Sequence, residues 1–174
     1  VEFCKEDSTF KIKSLDKVVE LAYPSYKSKD KLDDWYILIL LHYLDLADGT
    51  PLYHQAVHFG ELKDGLIRGS RFDKTVEREF ASFLSDKKDE DIINLCKSLG
   101  GEIIKSKFDL SVVFYLFPNY PVTLNIWFAD DEFGAVGSML VDKSADNYLT
   151  IEDDVVAGEF MLRYIFERYN ELYM

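Results

Sequence analysis

The chain has 174 residues, of which 48% are hydrophobic and 15% aromatic, and its formal net charge is −12. This length and composition predict a single globular domain, residues 1–174, with a packed core, and they exclude a disordered chain. The negative charge argues against nucleic acid and against anionic membrane surfaces as partners, because both bind proteins through a basic field.

Two cysteines, Cys4 and Cys96, are too few ligands for a structural zinc site or an iron–sulfur cluster. The sequence opens without a charged and apolar leader, and the longest apolar run, 35–41, is too short to cross a bilayer. We therefore predict a cytoplasmic protein that holds no cofactor.

The N-terminal part predicts β-strands, because Phe10 and Ile12 alternate with lysines, and a second alternating run ends at Pro24. The segment 32–49 predicts the first helix, with an aspartate as its N-cap and Gly49 at its end. Its middle is apolar on every side, so we expect it in the core. His42 within it is then expected to be a core histidine that bonds a carbonyl or a tyrosine hydroxyl.

Two amphipathic helices are predicted next, at 70–84 with Ser70 as N-cap and at 89–99 with a stop at Gly100. A hairpin at about 108–128 and a strand at about 137–141 follow, and a last helix runs from about 152 to 173. Apolar residues on both faces of the hairpin predict cover on each side. Because strands and helices come in blocks, the predicted class is α+β, with an antiparallel sheet that also includes the N-terminal strands and packs against about four helices.

The segment 142–154, DKSADNYLTIEDD, spaces its oxygen side chains almost like an EF-hand calcium loop. A strand pattern precedes it where an EF-hand needs a helix, and position twelve is Asp153 instead of glutamate. Thr150 and Asp153 also have the spacing of a capping box. We therefore predict that this segment starts the last helix and binds no metal.

A long connection between the first two helices contains most of the candidate ligand-binding residues. Long irregular connections in compact domains often bind ligands. His54 and His58 are four residues apart, so on a helix they would form one face with Glu61, as a zinc site requires. Pro51 and Gly60 argue against a regular helix there. The candidate residues are Asp48, Thr50, His54, His58 and Glu61.

The C-terminal part, 130–174, has eleven acidic and three basic residues, a net charge of −8. A ligand or partner that meets this part is expected to be neutral or cationic. The alternative is that the surplus charge serves only solubility.

Several short motifs resemble an uncharacterised bacterial family, domain of unknown function 3786. They are LHYL, ADGTPL, F-x-EL and D-x-SA-x-x-YL-x-x-ED, and the similarity runs from about Asp33 to the last helix. The resemblance implies no known activity. It does imply a link to redox or corrinoid proteins of anaerobes, because some members look fused to a four-cysteine iron–sulfur module that this chain lacks.

Two functions stay open at this point. The first is an accessory or binding domain without catalytic machinery, whose partner is a protein or a small molecule, since no phosphate loop, nucleophile elbow or HExxH motif is present. The second is an enzyme or small-molecule sensor with a histidine and aspartate pocket at 42–61. One version of this hypothesis places a metal ion in that pocket.

Overall fold

Two antiparallel sheets and four α-helices form the structure, a computed structural model that describes residues 1–174. The three-stranded sheet has the order β1-β2-β3, and its strands are β1 (Glu2–Cys4), β2 (Thr9–Ser14) and β3 (Lys17–Ala22). The five-stranded sheet has the order β4-β8-β7-β6-β5, with β4 (Ala56–Val57), β5 (Glu102–Ile103), β6 (Leu110–Phe117), β7 (Tyr120–Trp127) and β8 (Val136–Asp142). The helices are α1 (Asp34–Leu46), α2 (Gly65–Leu84), α3 (Asp89–Ser98) and α4 (Ile151–Tyr173). The predicted α+β class with antiparallel pairing is confirmed.

The N-terminal strands form a sheet of their own and do not join the central hairpin. Short connections let β1, β2 and β3 pair with one another, and only the end of β2 reaches β6. There the N–H of Leu15 donates to the carbonyl of Tyr115 at 2.8 Å, and the hydroxyl of Ser14 donates to the carbonyl of Leu116 at 2.6 Å. These bonds attach the small sheet to the main one.

Helices α1, α2 and α4 form a layer with α4 in the middle. Tyr36 of α1 packs on Phe160 with ring centres 4.9 Å apart, and Phe83 of α2 packs on Phe166 at 4.1 Å. The layer lies close to the five-stranded sheet, since a Cβ atom at Gly137 would be 2.6 Å from that of Phe80. The residues of β6, β7 and β8 on this face are buried, whereas Ile103 of the edge strand β5 is 46% exposed.

The opposite face of the sheet is partly open. In β7 and β8, Ile126 is buried whereas Trp127 is 41% exposed, and its partner Val136 is 49% exposed. The prediction of cover on both faces is therefore wrong at this end of the sheet. Trp127 and Val136 therefore form an exposed apolar pair at this end of the sheet.

Helix α2 begins at Gly65, so the prediction of Ser70 as its N-cap is wrong. Gly65 and Gly69 both lie against the backbone of Phe59, where a Cβ atom would be 2.2 Å from the carbonyl oxygen. Two glycines on one face thus let a short 3-10 turn, Phe59–Glu61, pack directly on the helix. The connection between α1 and α2 is accordingly more regular than its glycines and proline predict.

The start of α4 agrees with the prediction. Thr150 is the N-cap, its hydroxyl accepts from the N–H of Asp153, and the Asp153 carboxylate reaches back to Thr150. The residues before it, Lys143–Asn147, form a 3-10 turn with Asp142 as its N-cap. The acidic segment is thus a strand end, a turn and a helix start.

Candidate functional site

Asp142 fixes the long connection to the end of β8. One carboxylate oxygen accepts from the N–H groups of Tyr53 at 2.9 Å and Ser144 at 3.0 Å, and the other accepts from Gln55 at 3.0 Å. Partial burial raises the pKa of Asp142, but the hydrogen bonds from Ser144, Tyr53 and Gln55 outweigh it, so the pKa lies below its ordinary value. The charged carboxylate therefore serves as an anchor for backbone donors.

Further bonds join the same two segments. The N–H of Lys63 donates to Asp146 at 3.0 Å, and the N–H of Lys143 donates to the carbonyl of Gln55 at 2.8 Å. The hydroxyl of Tyr148 donates to the carbonyl of Thr50. The two stretches that the sequence singles out separately, 48–61 and 142–154, thus form one structural unit.

The Tyr148 hydroxyl gives a simple test of this unit. Tyr148 is buried, and its hydroxyl also accepts from the side chain of Asn119 at 3.2 Å. We expect Tyr148→Phe to lower the free energy of unfolding by about 1 kcal/mol, because the half-buried carbonyl of Thr50 loses its donor. Urea denaturation measures the change, and Tyr53→Phe is the matched control, because Tyr53 is exposed. Equal values for both variants would contradict the link.

Most of the predicted ligand-binding residues hold the connection itself. Asp48 accepts from the N–H of Thr50 at 2.8 Å, and Glu61 accepts from the N–H of His58 at 2.9 Å. His58 also lies beside Asp73, with 3.8 Å between its Nδ1 and the carboxylate. That these residues bind a ligand as well stays a prediction.

His54 is the member of this set that lines a pocket. Its backbone has a φ of +55°, a left-handed conformation that residues other than glycine seldom adopt. It borders a shallow pocket of about 260 Å³ on the open face of the sheet. The other lining residues are Leu52, Ala56, Ile104, Val113, Tyr115, Pro121, Thr123 and Asp142.

The three histidines have separate surroundings. His42 is exposed and its Nδ1 lies 2.7 Å from the carboxylate of Asp153, so the prediction of a core histidine is wrong. The strand β4 separates His54 from His58, which places them on an extended segment and not on one helical face. No group of three or more His, Cys, Asp or Glu side chains is arranged to hold a metal ion. The structure therefore does not gather the three histidines of the predicted 42–61 pocket around a common metal site.

Asp154 is a fully buried carboxyl group that sequence reasoning misses. It accepts from the hydroxyl of Tyr120 at 2.6 Å, and its second oxygen has no partner. Burial raises the pKa of Asp154 to about 7; the Tyr120 hydrogen bond opposes this rise, while the nearby charges of Asp146 and Asp153 add to it. Its sequence position in the first turn of α4 predicts an exposed acid that stabilises the helix dipole, so no signal in the sequence marks its burial.

A groove of about 810 Å³ lies at the end of β7 and β8. We call it the Trp127 groove. Ile93 and Asp89, one helical turn apart on α3, form one wall, and the loop between β7 and β8 forms the other. Phe133 at the tip of that loop is 71% exposed. The remaining lining residues are Asp109, Trp127, Phe128, Ala129, Asp130, Gly134 and Val136.

The Trp127 groove has an apolar floor and an acidic rim. Six of its ten lining residues are hydrophobic, three are aspartates, and none is basic. Asp109 holds the end of β7 by accepting from the N–H of Phe128 at 2.9 Å. Asp130 accepts from the N–H groups of Glu132 and Phe133, and these bonds lower its pKa. The rim is therefore negatively charged at neutral pH.

The residues of this groove are absent from the sequence-based candidates. A signal was present, because 127–133, WFADDEF, places three aromatic residues among three consecutive acids after a strand. Such a loop can bury only some of its aromatic residues while its carboxylates stay hydrated. Phe128 packs against the core, whereas Phe133 remains exposed.

Comparison with known proteins gives a family and no function. No curated protein and no solved structure is significantly similar to the chain. None of the four helices combines the length and the apolar composition that a membrane span requires. The family model described as Domain of unknown function (DUF3786) matches residues 1–164, nearly the whole chain. The chain therefore belongs to the DUF3786 family, as its motifs predict.

Proposed function

We propose that this domain is a binding domain whose Trp127 groove receives a positively charged, apolar segment of a partner protein. The observation that carries the proposal is the lining of the groove, where hydrophobic residues and three aspartates occur together without a basic residue. Apolar side chains supply the contact area, and the carboxylates select cations over anions.

The exposure of the groove residues supports a partner surface. Trp127, Phe133 and Val136 are adjacent and all more than 40% exposed. A continuous apolar patch with a polar rim is typical of interaction sites. Aromatic residues are also enriched among the residues that dominate binding energies.

Tryptophan fluorescence tests the proposal directly, because the chain has only two tryptophans, Trp35 and Trp127. With Trp35→Phe as background, we expect the acetylated pentapeptide KLKLK to change the emission of Trp127 in a saturable manner. The peptide ELELE should cause no saturable change. Added salt should weaken the KLKLK complex, because exposed charge pairs are screened.

A pair of charge variants provides the matched control. Asp109→Asn with Asp130→Asn should weaken KLKLK binding by about fivefold, the size expected for two exposed ion pairs. Asp131→Asn with Glu132→Gln changes the net charge equally outside the groove lining. Equal weakening in both double variants, or equal binding of ELELE, would contradict a site in the groove.

A second candidate is a small-molecule sensor at the His54 pocket, favoured by the unusual backbone of His54 beside that pocket. If a metal is involved, untagged protein should contain stoichiometric zinc, iron or nickel by elemental analysis, with loss in His54→Ala. If the purified protein contains no metal and its melting temperature does not change when these ions are added, a metal-binding sensor at this pocket is excluded.

The link to redox or corrinoid proteins rests on the family resemblance alone. We propose that such proteins are partners of this domain and that they meet it in the cytoplasm. Capture experiments from an anaerobic lysate should recover such proteins with the wild-type domain and lose them with the Asp109 and Asp130 double variant. Equal recovery with the wild-type domain and the double variant would show that these proteins do not bind through the Trp127 groove.

A further inference from the structure

We infer that the Trp127 groove of one copy of this protein binds the N-terminal sheet of a second copy, so that the protein associates head to tail. This inference rests on the proposed function of the groove, because it identifies a partner that supplies the positively charged, apolar segment.

Four aromatic rings cluster at the surface of the N-terminal sheet. Phe3 packs on Phe10 with ring centres 4.8 Å apart, and Tyr26 stacks on Phe10 at 6.0 Å. Tyr23 contacts Phe3 at 5.9 Å. Phe3, Tyr23 and Tyr26 nevertheless remain exposed. An exposed group of aromatic side chains is typical of interaction sites.

Exposed lysines follow this cluster along the chain. Residues 26–31, YKSKDK, have three lysines and one aspartate, and none of these lysines forms an ion pair within the chain. Residues 1–31 have seven lysines and six acidic residues, a net charge of +1, whereas the rest of the chain has a net charge of −13. The N-terminal sheet therefore presents cations and aromatic rings on an otherwise acidic protein. We call this surface the Tyr26 patch, and its residues are Phe3, Tyr23, Tyr26, Lys27 and Lys29.

The Tyr26 patch has the properties that the Trp127 groove requires of its occupant. The groove offers the exposed rings of Trp127 and Phe133 beside Asp109 and Asp130, and no basic residue lines it. Aromatic rings pack favourably on one another in edge-to-face and offset arrangements. Opposite charges at the rim then favour this partner and fix its orientation. A second copy of the chain therefore supplies both kinds of contact.

A single chain does not fill its own groove with this patch. The N-terminal sheet is attached at Tyr115 and Leu116, near the end of β6, whereas the groove includes Asp109, just before the start of β6. No residue of 1–31 lines the groove. Because the two surfaces differ, the contact between copies is heterologous, and each added copy leaves one groove and one patch free. The association therefore grows beyond a dimer unless a ring closes.

Sedimentation velocity of the full chain measures this association. We expect the average mass to rise from micromolar concentration to about 1 mM, the weak end of the affinity scale. Lys27→Gln with Lys29→Gln should weaken the association by about fivefold, the size expected for two exposed ion pairs. Lys63→Gln with Lys74→Gln is the matched control, because both lysines are exposed outside the patch and the net charge changes equally. Added KLKLK should dissociate the assemblies.

A mixture of two variants tests the head-to-tail arrangement. Asp109→Asn with Asp130→Asn impairs the groove, and Lys27→Gln with Lys29→Gln impairs the patch, so each double variant should associate weakly by itself. An equimolar mixture still contains an intact groove on one protein and an intact patch on the other. We expect this mixture to form dimers with nearly wild-type affinity and few longer assemblies. A mixture that associates no better than its components would overturn the head-to-tail contact.

The other results separate this inference from the proposed function. Wild-type protein that stays monomeric over the whole concentration range, while KLKLK still binds at Trp127, would overturn self-association and leave the groove as a binding site for another protein. Equal weakening by the two lysine double variants would also overturn it. Failure of both self-association and KLKLK binding would overturn the proposed function and the inference with it.

Discussion

Replacing Asp142 by alanine should lower the free energy of unfolding by about 3 kcal/mol. Asp142 is 8% exposed and accepts from three backbone N–H groups, those of Tyr53, Gln55 and Ser144. Removal of the carboxylate leaves these donors without partners and weakens the attachment of the connection to β8. The loss is large because charged acceptors contribute more than neutral ones. Urea denaturation at pH 7 measures the loss.

Asp131→Ala is the matched control for this substitution. Asp131 is an exposed acid on the loop between β7 and β8, so its loss changes the charge without removing an anchor. We expect a change within about 0.5 kcal/mol. A similar effect of both substitutions would show that Asp142 is not the anchor of the connection.

Asp154→Asn should remove a pH dependence of stability that the wild-type protein shows. The folded-state pKa of Asp154 is about 7, against 3.8 for the free side chain. The folded protein therefore binds this proton more tightly than the unfolded chain. The resulting stabilisation is complete below about pH 4 and is lost as the pH rises through 7. A pKa difference of this size corresponds to roughly 4 kcal/mol.

Denaturation curves at several pH values between 4 and 8 test this prediction. The asparagine side chain of the variant cannot ionise, and its amide oxygen can still accept from Tyr120. The stability difference between wild-type and variant should thus change steadily in favour of the variant as the pH rises. Parallel curves would show that folding does not raise the pKa of Asp154. The lowered pKa of Asp142 acts in the opposite direction but is common to both proteins, so the comparison isolates Asp154.

The elements with a clear local signal were predictable from sequence. The hairpin of β6 and β7 shows an apolar alternation, and α4 has its capping box at Thr150. The start of α2 was not predictable, because Gly65 and Gly69 look like loop residues. Their role depends on contact with the distant backbone of Phe59, which propensity does not describe.

The candidate sites show the same limit. The length and the histidines of the connection predict a binding site there. Its polar residues, however, mainly bond backbone groups, and these bonds depend on tertiary contacts with 142–154. The apolar neighbours of His42 predict a core residue, whereas its side of α1 faces Asp153 and solvent. Sequence shows which side chains could act; the pairing of segments decides which of them remain free.

The most direct test of the account is the site at which a cationic, apolar peptide binds. Two-dimensional NMR of the labelled protein, titrated with KLKLK, reports each backbone amide and the indole N–H groups separately. We predict the largest shifts at Trp127, Phe128, Asp130 and Phe133, with small shifts in 48–61. Shifts centred on His54, or no saturable shifts anywhere, would contradict the Trp127 groove as the binding surface.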